Sequence, residues 1–252
     1  MAKQPSKSDR RAVVDSIRKQ QRGAERVRGL AIVGVCAFVA LLIVGLAAYQ
    51  PIKGWWDDRK FASVTLSDIG KPASVCQAPT TIKADGNQQH VPTGQTVTYT
   101  TAPPAFGAHW NEQGVAPVAM SRKFYTRTDR PALEALVHNL EHGYTILWYD
   151  DTVSTSELNE IRAIGQKFPG DTNFRYKFIA VPWLPADAKA IGKEFPKGEH
   201  IAFTHWSQGG TGITDTSKQV GVFQYCSDVS GSALKTFMEK YPYTDAPEPG
   251  AM

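Results

Sequence analysis

Several common catalytic signatures are missing from this 252-residue chain. It has only three cysteines, and no two of them are spaced as Cys-x-x-Cys, which argues against a thiol-redox enzyme. No Gly-x-Ser-x-Gly motif marks a serine nucleophile, and the glycine-rich stretch at 209–212 lacks the Lys-Ser/Thr of a phosphate-binding loop. No internal repeat is present. The chain therefore shows none of the usual signatures of redox, serine-hydrolase or nucleotide chemistry.

An excess of positive charge is confined to the N-terminus. Residues 1–29 hold nine of the 28 Lys and Arg but only three of the 24 Asp and Glu, so the net charge of +4 comes from this segment. No aromatic-rich basic module accompanies it, which argues against nucleic-acid binding. Basic clusters beside a membrane span typically contact anionic lipid head groups, and we expect this of the tail.

The longest uncharged segment follows this basic tail. It runs from Leu30 to Ala48, and as a helix its 19 residues would extend roughly 28 Å, close to the thickness of a bilayer core. We therefore predict a transmembrane helix at residues 30–49, with the positive tail in the cytoplasm and the following domain outside. A cleaved signal peptide is the alternative, although its apolar region is normally only about 7–15 residues long.

The remaining chain divides by composition into three parts. Residues 50–60 form a juxtamembrane connector, residues 61–243 an extracytoplasmic domain, and the Pro-rich residues 244–252 a flexible tail. Cys76 and Cys226 bracket the domain, so in an oxidising compartment they would form a disulfide. Two separate buried thiols are the alternative.

Periodicity and capping signals predict a layered α+β or α/β domain. The helix at 129–143 carries its apolar stripe at Leu133, Leu136, Val137 and Leu140 and ends at Gly143. A second helix at 154–168 begins with a capping box of Ser154 and Glu157. Strands are predicted at 96–103, 144–150, 174–183 and 200–208, and a closing helix at 230–241.

The first of these helices carries the sequence His138-Asn-Leu-Glu141-His142. Two histidines four residues apart lie on one helical face, where they could share a zinc or copper ion. This face lies away from the apolar stripe, so the alternative is a solvated surface near the helix C-terminus, where imidazolium is favoured. A metal site would need a further ligand from elsewhere in the chain.

Candidates for that ligand come from loops and strand ends. His109 lies in a glycine- and proline-rich loop, the kind of segment where functional side chains concentrate. Met120 and His205 are reserves, Met120 as a soft ligand for copper. His90 and His200 have no supporting sequence context.

The same motif matches the His-x-x-Glu-His pattern of inverted zincin proteases, in which glutamate is the general base. The match is short, and the helix ends directly after it. No later helix offers an obvious glutamate ligand. Metal binding without turnover is therefore favoured over hydrolysis, in which Glu141 would be catalytic.

Three segments together resemble one known family. "PPAFGAHWNEQGV", "VHNLEHGYTILWY" and "IAFTHW", spanning Pro103 to Trp206, resemble an uncharacterised, membrane-anchored bacterial family, domain of unknown function 3105. No activity comes with the resemblance, but it implies that His109, His138, Glu141 and His142 belong together. It also implies location at a bacterial cell membrane. His205 stands where the family often has alanine.

Three functional hypotheses follow. The first is a single-pass membrane protein whose extracytoplasmic domain binds copper or zinc through His109, His138, His142 and Glu141, in metal handling or envelope support. The second is a non-catalytic accessory or interaction subunit of a membrane complex, with a membrane protein as partner. The third is a zinc hydrolase with an inverted-zincin-like motif.

Overall fold

The computed structural model describes residues 18, 28–49, 60–84, 88–111 and 116–251. The chain forms two compact units, residues 1–58 and 59–252. Most of the basic tail and nearly all of the predicted connector lie outside the described residues, so the predictions for them stay predictions.

The described part of the first unit is a single long helix. Helix α1 spans Arg28–Tyr49, and its mean hydropathy of 2.9 and its 22 residues make it long and apolar enough to cross a membrane. None of the residues in its most apolar window is buried by the described residues. A signal sequence near the N-terminus has the same properties, so both sequence-based alternatives for this helix stand.

The second unit is an α+β domain, as predicted. Its main sheet has the order β1-β7-β6-β4-β5, in which β4 and β5 are parallel and the other pairs antiparallel. A separate two-residue parallel pair joins β2 to β3. The strands are β1 Thr80–Lys83, β2 His90–Val91, β3 His109–Trp110, β4 Thr145–Tyr149, β5 Phe178–Pro182, β6 Ile201–Ser207 and β7 Val220–Cys226. The helices are α2 Leu133–Glu141, α3 Thr155–Gln166, α4 Pro185–Ile191 and α5 Gly231–Lys240.

The sheet is covered on both faces. All five residues of β4 are buried, which is typical of a strand between two layers. Alternate residues of β4 and β6, including Trp148 and Trp206, pack into an apolar cluster with α2. The intervening residues, including Leu147 and Phe203, pack into a second cluster with α3 and α5. Helix α2 therefore lies on one face of the sheet, and α3 and α5 lie on the other.

The predicted disulfide between Cys76 and Cys226 is present. It links the segment before β1 to the end of β7 and closes a loop with a sequence separation of 150. The alternative of two separate thiols is therefore wrong. The third cysteine, Cys36, is free and exposed on α1.

Most predicted elements are confirmed with shifted ends. The capping box of Ser154 and Glu157 begins α3, and Ser230 caps α5. Helix α2 begins only at Leu133, because Ala132 before it is extended. The strand predicted at 96–103 is wrong, since this segment is irregular. Val97 donates its backbone N–H to the Glu134 carboxylate of α2 instead of to a neighbouring strand.

The C-terminal segment, residues 245–251, differs from the loose tail predicted from its composition. Asp245 and Ala246 are buried. The Asp245 carboxylate accepts hydrogen bonds from the Ser207 hydroxyl and from the backbone N–H groups of Gln208 and Gly210. The buried Lys177 ammonium donates to the carbonyls of Pro249 and Ala251. These bonds hold the segment against the domain.

Candidate metal centre

Helix α2 brings buried polar side chains to the middle of the domain. Every residue from Glu134 to Glu141 is buried, including the positions that face away from the sheet. His138 is 3% exposed, and Glu141 is fully buried. The alternative of a solvated helix face is therefore wrong. The face away from the sheet is covered instead, because α2 packs against β3.

Two more histidines reach this face from the small β2–β3 pair. His109 opens β3 and pairs in register with His90 on β2. His109 is fully buried, whereas the side chain of His90 is 37% exposed. Sequence reasoning missed His90, because nothing in a two-residue strand preceded by a polar loop marks it. Only the pairing with β3 brings it beside His109.

Four side chains therefore converge. One ligand atom from each of His90, His109, His138 and Glu141 lies within 4.8 Å of all the others. Glu141 Oε2 is 3.0 Å from His109 Nε2 and 3.7 Å from His90 Nε2. The His109 and His138 ring centroids are 4.8 Å apart. Ligands of a tetrahedral zinc ion, with bonds of about 2.0–2.1 Å, lie about 3.3 Å from one another. The distances from Glu141 Oε2 to the two histidines bracket that value.

Backbone carbonyls fix the orientation of two of these imidazoles. His109 Nδ1 lies 2.8 Å from the Gly107 carbonyl oxygen, and His138 Nδ1 lies 2.7 Å from that of Trp110. A carbonyl only accepts, so each Nδ1 must carry the proton and donate it. In the neutral ring the Nε2 lone pair is then free to bind an ion. Metal-binding histidines usually have this outer hydrogen bond.

The carboxylate is oriented in the same way. Gln88 donates its side-chain N–H to Glu141 Oε1 at 2.8 Å, which leaves Oε2 facing the histidines. Among the described residues, neither Glu141 Oε2 nor His109 Nε2 has an aligned hydrogen-bond partner, although the two atoms are only 3.0 Å apart. Two lone-pair atoms at this distance repel each other unless a proton or a cation lies between them. The arrangement is therefore stable only if a proton or a cation lies between these two atoms.

The charge states of α2 favour ligation. Burial raises the pKa of Glu141, but contact with His109 and the hydrogen bond from Gln88 outweigh burial and lower the pKa below its usual value. Burial, with the charge of His109, lowers the pKa of His138 to about 4. At neutral pH the group therefore offers an ionised carboxylate and a neutral imidazole, the forms that bind metal ions.

His142 lies beside this group but is not part of it. Its ring centroid is 4.7 Å from that of His138, as expected for positions i and i+4. Its ligand atom belongs to a different set, formed with Glu141 and Glu248. Burial and the charge of His138 lower the pKa of His142 to about 4. The structure thus gathers His109, His138 and Glu141 around one point and places His142 next to it.

The two reserve candidates lie elsewhere. His205 is fully buried in β6, with Nδ1 3.2 Å from the Tyr144 carbonyl and Nε2 2.6 Å from the Asp245 carbonyl. Both of its ring nitrogens are therefore occupied. Met120 is buried in the apolar cluster that includes Val118 and Tyr144.

One family model, described as "Protein of unknown function (DUF3105)", matches residues 90–252. The match begins at His90 and includes all four converging residues as well as Glu248. It covers more than half of the chain. No curated protein and no solved structure matches.

Proposed function

This chain belongs to the DUF3105 family, and we propose that its domain binds one divalent transition-metal ion, zinc or copper(II), through His90, His109, His138 and Glu141. The observation that carries the proposal is the convergence of four donor atoms within 4.8 Å. The outward hydrogen bonds that hold His109, His138 and Glu141 in ligating orientations support it.

The donor set narrows the choice of ion. Three imidazole nitrogens and one carboxylate oxygen suit zinc and copper(II), whereas copper(I) favours thiolate or thioether sulfur. With neutral histidines and one carboxylate, the donors carry a single negative charge. A divalent ion would neutralise this charge at the point where the imidazoles meet the buried carboxylate. Because no spacing in the group exceeds 4.8 Å, the ligands would have to close by at most about 1.5 Å for tetrahedral binding.

Unequal exposure of the ligands supports metal handling rather than turnover. His109, His138 and Glu141 are at most 3% exposed, so the ion would be held where solvent and substrate do not reach it. The His90 side chain is 37% exposed and provides the route by which an ion enters or leaves. Four protein ligands also leave a tetrahedral ion no open position, as in structural rather than catalytic zinc sites.

The proposed location is the outer face of a bacterial cell membrane. Helix α1 would be the single span, and the basic residues before it favour a cytoplasmic N-terminus. The Cys76–Cys226 disulfide supports a domain outside the cytoplasm, because such bonds persist in oxidising compartments. The protein would retain or pass on metal ions at the cell envelope.

Measuring the metal content of the purified protein tests this proposal. Full-length protein in detergent, purified without chelators, is analysed for zinc and copper and then titrated with each ion. We expect tight binding that is lost in the double variant His109→Ala, His138→Ala and kept in His200→Ala, a matched change at a histidine outside the group. Tight binding that survives the double change would reject the proposal. Metal-free protein that co-purifies with a membrane partner would favour the accessory-subunit hypothesis.

A further inference from the structure

We infer that a second divalent cation binds beside the first, held by His142, Glu141 and Glu248. This inference rests on the proposed function in one respect, since Glu141 would serve both ions. One ligand atom from each of the three side chains lies within 4.8 Å of the other two.

His142 is the main reason to expect a ligand here. It follows the last residue of α2 and is only 3% exposed. Within the described part of the chain, neither of its ring nitrogens has a hydrogen-bond partner. Nearly all buried polar atoms in folded proteins are bonded, and leaving one unpaired costs about 1–3 kcal/mol. A buried imidazole with both nitrogens unpaired therefore indicates a missing partner.

Hydrogen bonds fix the backbone around Glu248 and so place its side chain near His142. Its own N–H donates to the Glu141 carbonyl at 2.9 Å. The next residues are held by Lys177, whose ammonium donates to Pro249 and Ala251 at 2.9 and 2.6 Å. Residue 248 is therefore tied to α2 on one side and to Lys177 on the other. The Glu248 carboxylate is positioned by the fold and does not sit on a loose end.

The spacing fits shared coordination better than a hydrogen bond. His142 Nε2 and Glu248 Oε2 are 4.0 Å apart, beyond the range of a hydrogen bond. Two atoms bound to one ion at about 2.0–2.2 Å can be separated by about 3–4 Å. The ammonium of Lys177 directs its three N–H groups to three carbonyls, including that of His142, and so makes no hydrogen bond to the carboxylates.

The donors indicate which ions would bind and how tightly. One imidazole and two carboxylates form a harder set than the three imidazoles of the first position, which suits zinc or manganese(II). Among the described residues this group has three ligands, and the Glu248 side chain is 49% exposed. We therefore expect the second ion to bind more weakly than the first and to exchange with solvent.

Zinc titration of the full-length protein in detergent tests this second position. We expect two equivalents in the wild type, with the second at least tenfold weaker. Glu248→Gln should remove only the second equivalent, and because this side chain is half exposed the variant should fold normally. His142→Gln should do the same. Glu239→Gln, at an exposed glutamate of α5, is the matched control and should keep both equivalents.

Copper(II) provides an independent readout. Two copper(II) ions joined through Glu141 should couple magnetically, so the integrated paramagnetic signal should fall below the copper content. In Glu248→Gln the signal should match the single copper bound.

The outcomes separate this inference from the proposed function. A single wild-type equivalent that is unaffected by Glu248→Gln and His142→Gln would overturn the second position and leave the first intact. The same holds if Glu248→Gln lowers the melting temperature without changing stoichiometry, since the pair would then be structural. Absence of any binding would overturn both positions.

Discussion

Replacing Glu141 with glutamine should destabilise the domain more in the presence of metal than in its absence. Glutamine keeps the size of the side chain and an oxygen that can accept the hydrogen bond from Gln88, but it removes a fully buried negative charge. In metal-free protein, burial raises the pKa of Glu141, but contact with His109 and the hydrogen bond from Gln88 lower it below its usual value, so the ionised carboxylate stabilises the folded state and its removal should be destabilising. In metal-loaded protein, the change also removes a charged ligand. The metal-free variant should therefore melt below the metal-free wild type, and the difference between the two proteins should grow when zinc is present.

The size of the metal effect can be worked out by linkage. An ion present at 1,000 times its dissociation constant stabilises the folded state by about 4.1 kcal/mol. For a domain of this size, 1 kcal/mol corresponds to about 2–4 °C, so zinc should raise the wild-type melting temperature by about 8–16 °C. Loss of an outer hydrogen-bond partner weakens metal binding by up to about 100-fold, and loss of Glu141 itself should cost at least as much. The zinc-induced rise should then shrink to about 3–6 °C or less.

Differential scanning fluorimetry of both proteins, with chelator and with saturating zinc, measures these four values. Glu239→Gln is the matched control and should behave as the wild type. The reasoning is refuted if zinc raises the melting temperatures of both proteins equally. That result would mean that Glu141 is a structural acceptor and not a ligand.

Three further predictions concern stability. Burial lowers the pKa of His138 and His142 to about 4, against about 6.5 unfolded, so the unfolded chain binds more protons at acidic pH. The unfolding free energy of metal-free protein should therefore fall by about 3 kcal/mol for each of the two histidines as pH drops from about 6.5 to about 4, as measured by urea denaturation with chelator. A flat profile would contradict the buried, neutral state of these rings. Reducing the disulfide, which closes a loop with a sequence separation of 150, should lower the unfolding free energy by up to about 5 kcal/mol in the same assay. An unchanged urea midpoint would show that the reduced chain keeps an equivalent restraint. Gly143→Ala should destabilise the domain by at least about 1 kcal/mol, because φ is +88° and a Cβ would lie 2.3 Å from the Tyr243 carbonyl oxygen. Gly170→Ala is the control, since φ is similar there but the surrounding space is open. The difference between the two losses of stability gives the contribution of the clash.

Local signals in the sequence were sufficient for much of the fold. The apolar stripe of α2, the run of β-formers in β4 and the capping box of α3 act within a few residues, so they can be read from a single segment. The sequence does not predict strand β7, because Gly221 within it weakens the strand signal. That glycine is needed because Phe106 packs against it, and a Cβ there would lie 2.4 Å from the ring. The reason for Gly221 is a contact more than 100 residues away.

The same contrast between local signals and long-range contacts applies to the residues of the candidate site. His138, Glu141 and His109 could be selected because a helix period and a characteristic loop mark them. His90 and Glu248 could not, since each reaches the site through pairing with a distant partner, namely β3 and the Glu141 backbone. The Pro-rich composition around Glu248 is typical of a loose end. Lys177 and the donors around the Asp245 carboxylate hold it in place, and no local sequence pattern predicts those long-range hydrogen bonds.

The place of residues 245–251 in the fold has a consequence for biosynthesis. They are made after every other part of the domain, yet they pack against the Glu141 backbone and carry Glu248 to His142. A chain emerging from the ribosome, or threading outward through a membrane, cannot close this part of the centre until that stretch has arrived. Under the proposed function, cations would be acquired in their final geometry only in the compartment where the finished domain resides, so the metal supply of that compartment would determine which ion is bound.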